Sequence, residues 1–332
     1  MRSRYIALIA VILAFAVGAG DCKASEPPLL WGEPVKLEGM SAERVSAVWY
    51  KDELHIVHGG KDGDAIWHAW WNGREWSINR VSNLPGGGGG VPTLAVYRNT
   101  LHMVYKGDNN TLWHATSQGR EWKSQGRLTG QKSYYSPSMA AYPFDPYTGA
   151  SSERLWLFHG GGSKDTRRKV WETFFDGSAW SDDRETIILS ENTVGLCMHD
   201  DKLYQSTVYA TGVNIMYFVR CVGWHPMETI PHGAKSTTPV CLVSDGDDLY
   251  CFYRFSRSGP GKEEPLYASR YKNGTWENPF PLKGFMASDG PAVVAEPGKK
   301  GHFHLLFTRN KDIYYTSTQP LKPVKPLLPQ PR

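Results

Sequence analysis

A Trp-containing unit recurs about six times along the 332 residues, and no other feature restricts the possible folds as much. The clearest copies begin at Val45 and Val91, and a third, bearing an insertion, begins at Ser136. Weaker copies follow from Lys202, Asp248 and His302. One aromatic column runs Trp67, Trp113, Trp171, Tyr217, Tyr267, Tyr314, with steps of 46, 58, 46, 50 and 47 residues. A second column runs Trp76, Trp122, Trp180, Trp224, Trp276. Within a unit, a strand of small apolar residues precedes a turn and a Leu-aromatic-apolar alternation. A polar turn then leads to an aromatic strand, and an Asn-Gly, Asp-Gly or Gln-Gly turn to a strand that starts at Trp. No segment sustains a 3.6-residue period, so helices are not expected.

Four short strands per unit of about 45–50 residues predict an all-β fold, a six-bladed β-propeller of four-stranded antiparallel blades. One blade cannot bury its faces alone, so blades pack in a ring. Trp31-Gly32-Glu33-Pro34-Val35 reads as a fourth strand with no unit before it, and the last copy lacks that strand. The N-terminal strand is therefore expected to complete the last blade. An array of open sheets would instead leave unpaired edges.

The propeller is expected over 25–319, after a signal peptide at 1–24 and before a Pro-rich tail at 320–332. Arg2 and Arg4 precede the apolar run Ile6 to Val17, and cleavage fits after Ala19 or Ala24. This predicts a secreted or extracytoplasmic protein, with no membrane span once the signal is removed. Net charge is +4 with no Lys/Arg cluster, so nucleic acid is not an expected partner. Cleavage after Ala24 leaves Cys197, Cys221, Cys241 and Cys251. In an exported chain these suggest two disulfides, with Cys241 and Cys251 flanking one turn. Asn109 and Asn273 head sequons in expected turns and are candidates for glycosylation.

The third unit reads Val170-Trp171-Glu172-Thr173-Phe174-Phe175-Asp176-Gly177-Ser178-Ala179-Trp180. This resembles the repeat of the six-bladed fucose-binding lectins of fungi and bacteria, and Glu172 falls in that family's glutamate slot. The resemblance implies sugars held between blades, with Arg and Glu on hydroxyls and an aromatic ring on the apolar face. The arginine slot here holds His55, His102, Trp156, Tyr204, Tyr250 and His304 instead. The glutamate slot holds His68, His114, Glu172, Phe218, Ala268 and Tyr315. The fucose-type pair is thus absent, but aromatic and His groups remain in register. His55, His68 and Trp76 are candidates for one pocket, and His102, His114 and Trp122 for a second; Trp156, Glu172 and Trp180 belong to a third register. His58 and His159, each followed by Gly-Gly, are candidates for a rim or the central channel.

No GxSxG, HExxH or phosphate loop occurs, and no Cys or His spacing suits a metal, so neither cofactor nor metal is expected. The expected function is a secreted lectin whose partners are glycans or a small-molecule ligand. The alternative is a propeller enzyme using a central or rim pocket on a glycan or a small intermediate.

Overall fold

The structure is a computed structural model that describes residues 29–318 apart from 42–43, 61–64, 87–89, 211, 228 and 257–261. The expected signal peptide and Pro-rich tail lie outside the described residues. Strands are numbered in chain order. Blade one holds β2 (Val45–Tyr50), β3 (Glu53–Gly59), β4 (Ile66–Trp71) and β5 (Trp76–Val81). Blade two holds β6 (Thr93–Tyr97), β7 (Thr100–Lys106), β8 (Thr111–Ser117) and β9 (Trp122–Lys132). Blade three holds β10 (Ser138–Tyr142), β11 (Arg154–Gly160), β12 (Lys169–Phe175) and β13 (Arg184–Leu189). Blade four holds β14 (Gly195–His199), β15 (Lys202–Tyr209), β16 (Gly212–Val219) and β17 (Gly223–Pro226).

Blade five holds β18 (Cys241–Ser244), β19 (Leu249–Arg254) and β20 (Glu264–Lys272). Its outer edge is split into β21 (Thr275–Trp276) and β22 (Phe280–Ala287), both paired with β20. Pro279 lies in the break, where a residue without an N–H cannot continue the ladder. Blade six holds β23 (Ala292–Ala295), β24 (Phe303–Arg309) and β25 (Asp312–Ser317). Its outer strand is β1 (Val35–Ser41), antiparallel to β25. Gly32 N–H donates to Ser317 O at 2.9 Å, and Thr316 Oγ1 donates to Gly32 O at 2.7 Å. The N-terminal segment closes the ring as the sequence predicts, which removes the free edge.

Two-residue turns hold the hairpins, with positive φ at Lys51 and Asp52, Arg98 and Asn99, Asp200 and Asp201, and Asn310 and Lys311. The first strands β2, β6, β10, β14, β18 and β23 line the axis. They approach so closely that a Cβ at Gly195 would lie 2.2 Å from Val240 O. Apolar clusters fill each seam between blades, as where Phe252, Phe285, Phe303 and Phe307 join blades five and six. The only helical element among the described residues is a short 3-10 turn, Asp108–Asn110.

Two expectations fail. Cys197, Cys221, Cys241 and Cys251 are all free thiols, so the predicted disulfides are not formed. Cys241 pairs across the hairpin with Phe252, whereas Cys251 pairs with Leu242. That one-residue offset turns the two thiols to opposite faces. Burial pushes the Cys197 and Cys241 thiols up, to about 12 and about 11. The aromatic columns also slip in blade four. There Asn214, not Tyr217, lies where Trp67 lies in blade one, and Ile215, not Phe218, takes the slot of His68. Tyr209 pairs directly with Gly212, whereas Gly59 of blade one pairs with Ile66, so aromatic spacing misplaces the register in blade four.

Candidate functional site

The Trp that opens or shortly precedes an outer strand reaches back to the preceding blade. Trp122 of blade two lies against His68 of blade one, and Trp180 of blade three against His114 of blade two. Trp224 packs on Trp156 and Phe158 of blade three, and Trp76 on Tyr315 of blade six. Trp31, which lies outside the predicted column, does the same against Phe252 of blade five. The expected groupings therefore shift by one blade: the His55/His68 pair meets Trp122 through His68 rather than Trp76, and the His102/His114 pair meets Trp180 through His114 rather than Trp122.

In the first two seams this contact orders a hydrogen-bond relay. His55, His68, His102 and His114 are all buried. Trp180 Nε1 donates to His114 Nδ1 at 3.3 Å, and His114 Nε2 lies 2.9 Å from His102 Nδ1. Trp122 Nε1 reaches His68 Nδ1 at 3.2 Å, and His68 Nε2 lies 2.9 Å from His55 Nδ1. An indole N–H can only donate. Neutral His114 must then carry its proton on Nε2 and donate it to His102 Nδ1, which leaves the proton of His102 on Nε2. The same logic puts the proton of His55 on Nε2. Burial holds the rings neutral, pushing His55 and His102 down to about 4. His68 and His114 fall to about 3, by burial first and by their paired imidazoles second.

The two relays end differently. His55 Nε2 faces Glu53 Oε2 at 3.4 Å, and Arg120 holds that carboxylate at 2.7 Å while lying 4.3 Å over the Trp70 ring. In the second seam Thr100 stands where Glu53 stands in the first. A cavity of about 240 Å³ opens there, between blades two and three. His102, His114, Thr100, Thr116, Arg98 and Phe175 line it. Phe175 is half-buried and 5.8 Å from His102. Gln125 at its edge donates to Thr116 Oγ1 at 2.8 Å. The cavity thus offers an aromatic face, a guanidinium, two hydroxyls, an amide and a terminal imidazole N–H, a set that suits a polyol with an apolar side.

Trp76 and Trp156 are core residues, 5% and 0% exposed. Glu172 is buried under the insertion of blade three, whose Tyr147 hydroxyl donates to Glu172 Oε1. Burial raises the Glu172 carboxyl pKa, against the pull of Tyr147 and Arg184. His58 and His159 each place Nδ1 on the following carbonyl, at 3.0 and 2.9 Å. His159 also meets Asp183 at 3.0 Å and lines a rim cavity of about 450 Å³. A larger cavity of about 870 Å³ lies at one mouth of the axis, lined by Arg44, Lys106, Glu191, Asp289 and Lys311 among others. Asn109 and Asn273 sit in exposed turns. The sequence reading misses Arg98, Thr100, Gln125 and Phe175. Their visible signal is position: Arg98 lies in the turn before the His102 strand and Thr100 just after it, and Phe175 lies three residues after Glu172.

No protein-family model matches the chain, and no curated protein does. Solved structures do. The Aleuria aurantia lectin, described with a six-bladed β-propeller fold and a novel fucose recognition mode, superposes with a TM-score of 0.62 at 13% identity, over 85% of this chain and 93% of that one. The fold is that of the six-bladed fungal lectins. AofleA from Arthrobotrys oligospora gives a TM-score of 0.61 at 14% identity, over 86% and 85% of the two chains. A protein of unknown function from Dyadobacter fermentans gives 0.61 at 13% identity, over 88% of this chain and 99% of its own.

Proposed function

We propose that this chain is a secreted carbohydrate-binding propeller that holds a glycan in the seam between blades two and three. The observation that carries the reading is the cavity of about 240 Å³ in which His102, Arg98 and Thr100 converge beside Phe175. Phe175 covers the C–H face of a sugar ring, and the His102 Nε2 proton and Arg98 bind its oxygens. Similar propellers have been solved with fucosides, among them the Aleuria aurantia lectin with α-methyl-L-fucoside and SapL1 with α-methyl fucoside. That likeness favours sugar as the ligand class, while the lack of an Arg/Glu pair argues for a different sugar. The test is a glycan array with the secreted protein, repeated with Arg98→Ala and Phe175→Ala. Retention of specific glycans that both variants lose supports the site. No retained glycan at high protein concentration sinks the lectin reading, and retention untouched by both variants moves the site elsewhere.

A second reading rests on the axial mouth, the largest of the described cavities, whose lining includes the carboxylates of Glu191 and Asp289 and the cations of Arg44 and Lys106. It is an enzyme acting on a glycan or a small intermediate. Turnover of a bound glycan that survives Arg98→Ala but is lost in Glu191→Gln or Asp289→Asn favours it over the lectin.

A further inference from the structure

The sixth blade ends its relay in a third way. Tyr315 takes the slot of His68, and its hydroxyl lies 2.7 Å from His304 Nδ1. His302 stands where Glu53 and Thr100 stand in the first two blades. His302 immediately precedes β24, and its ring lies beside that of His304, with centroids 5.0 Å apart. Glu296 lies across the hairpin, its N–H donating to His302 O at 2.9 Å. One ligand atom from each of Glu296, His302 and His304 falls within a sphere where all three are within 4.8 Å of one another.

The donors have little else to do. His304 Nε2 is buried with no hydrogen-bond partner, and His302 Nδ1 is buried likewise, although Glu296 Oε2 is 2.5 Å away. His304 Nε2 lies 3.6 Å from the same oxygen. Two ring nitrogens thus converge on one carboxylate oxygen. Lys299 takes the other oxygen, Oε1, at 2.5 Å, so Oε2 is the one turned to the two imidazoles. Trp49 of blade one stacks on His304, with centroids 5.1 Å apart, and fixes the ring.

We infer that Glu296, His302 and His304 form a binding site for a divalent transition-metal ion, Zn²⁺ by donor set. Two imidazoles and one carboxylate are a known zinc set that leaves a coordination position open. His304 binds through Nε2 and donates its Nδ1 proton to the Tyr315 hydroxyl, the outer-shell bond that orients a metal-ligating His. The ion ties the turn of the β23–β24 hairpin to its second strand, beside the seam where the ring closes.

The test uses full-length protein without a polyhistidine tag, stripped with chelator and titrated with ZnCl₂ in a calorimeter. One equivalent is expected to bind and to raise Tm, because an ion that binds only the folded state stabilises it. His302→Ala and Glu296→Gln each weaken binding at least tenfold and abolish the Tm rise. His232→Ala, at an exposed histidine in the loop after blade four, leaves both unchanged. Both test variants lie at the hairpin turn, and their circular dichroism without metal shows whether the fold persists. Absence of saturable binding overturns the site, as does equal binding in the two folded variants.

Discussion

The seam after blade one and the seam after blade two are built from the same parts and differ at one end. Each has a Trp of the next blade donating to a buried His pair. In the first, the pair ends on Glu53, and Arg120 lies over Trp70 above it. In the second, Thr100 replaces the carboxylate and a cavity remains. The relay is therefore a device of the fold, and ligand access is decided by what covers its last N–H. A repeat protein can keep one and vary the other without disturbing the ring.

The largest expected effect tests that separation. His68→Ala and His114→Ala each orphan an indole N–H and a second imidazole in the interior. At about 1–3 kcal/mol for each stranded polar group, plus a cavity, each should cost roughly 3 kcal/mol in denaturant unfolding. The two losses should match to within about 1 kcal/mol, since the relays match. Glycan retention should fall only in His114→Ala, at matched folded fraction. A much smaller loss for His68→Ala would show that the first relay is not part of the scaffold.

Acid should weaken both seams together. Above about pH 6.5 these histidines are neutral in folded and unfolded chain alike, and their contribution is complete. As pH falls below 6.5, the unfolded chain takes up protons that the folded seams refuse until about pH 4 at His55 and His102 and about pH 3 at His68 and His114. Stability should decline across that window and then level off. Glu172 has the opposite sign. Its folded pKa is raised by burial, so its share of stability is complete below about pH 4.5 and is lost as pH rises through the folded value. Glu172→Gln should raise Tm at pH 8 and leave it unchanged at pH 4, while Tyr147 still donates to the amide oxygen. A Tm gain of equal size at both pH values would mean that burial of the charge is not the cause.

The blades and their closure were legible because strand period, turn residues and the Trp columns all point one way. Trp31 is the clearest case: an unpaired Trp-led strand at one end matched a missing one at the other. The partners of each Trp were not legible, because the ring lets it contact the preceding blade as well as its own. Trp76 was thus grouped with His55 although it packs on Tyr315, 239 residues further along the chain. Glu296 and His302 escaped notice because the first lies six residues before the second, and only the hairpin brings them face to face. The cysteine pairing failed on strand register, which symmetric spacing about a turn does not determine.

The smallest effect on stability is expected at Arg120, and it bears most directly on the comparison. Its side chain is 43% exposed, and its ion pair with Glu53 is a surface one, worth about 1 kcal/mol or less. Arg120→Ala combined with Glu53→Thr removes the cover of the first seam and gives it the polar end of the second. Unfolding should shift by no more than about 1 kcal/mol. The His55 N–H then faces an open space as the His102 N–H does, beside Trp70 as an aromatic wall. Calorimetry with the glycan selected on the array should show the stoichiometry rise from one to two. If it stays at one, the relay and an open end are not sufficient. Phe175 and Arg98, which the first seam replaces with Ser117 and Lys51, would then be the residues that make the second seam a site.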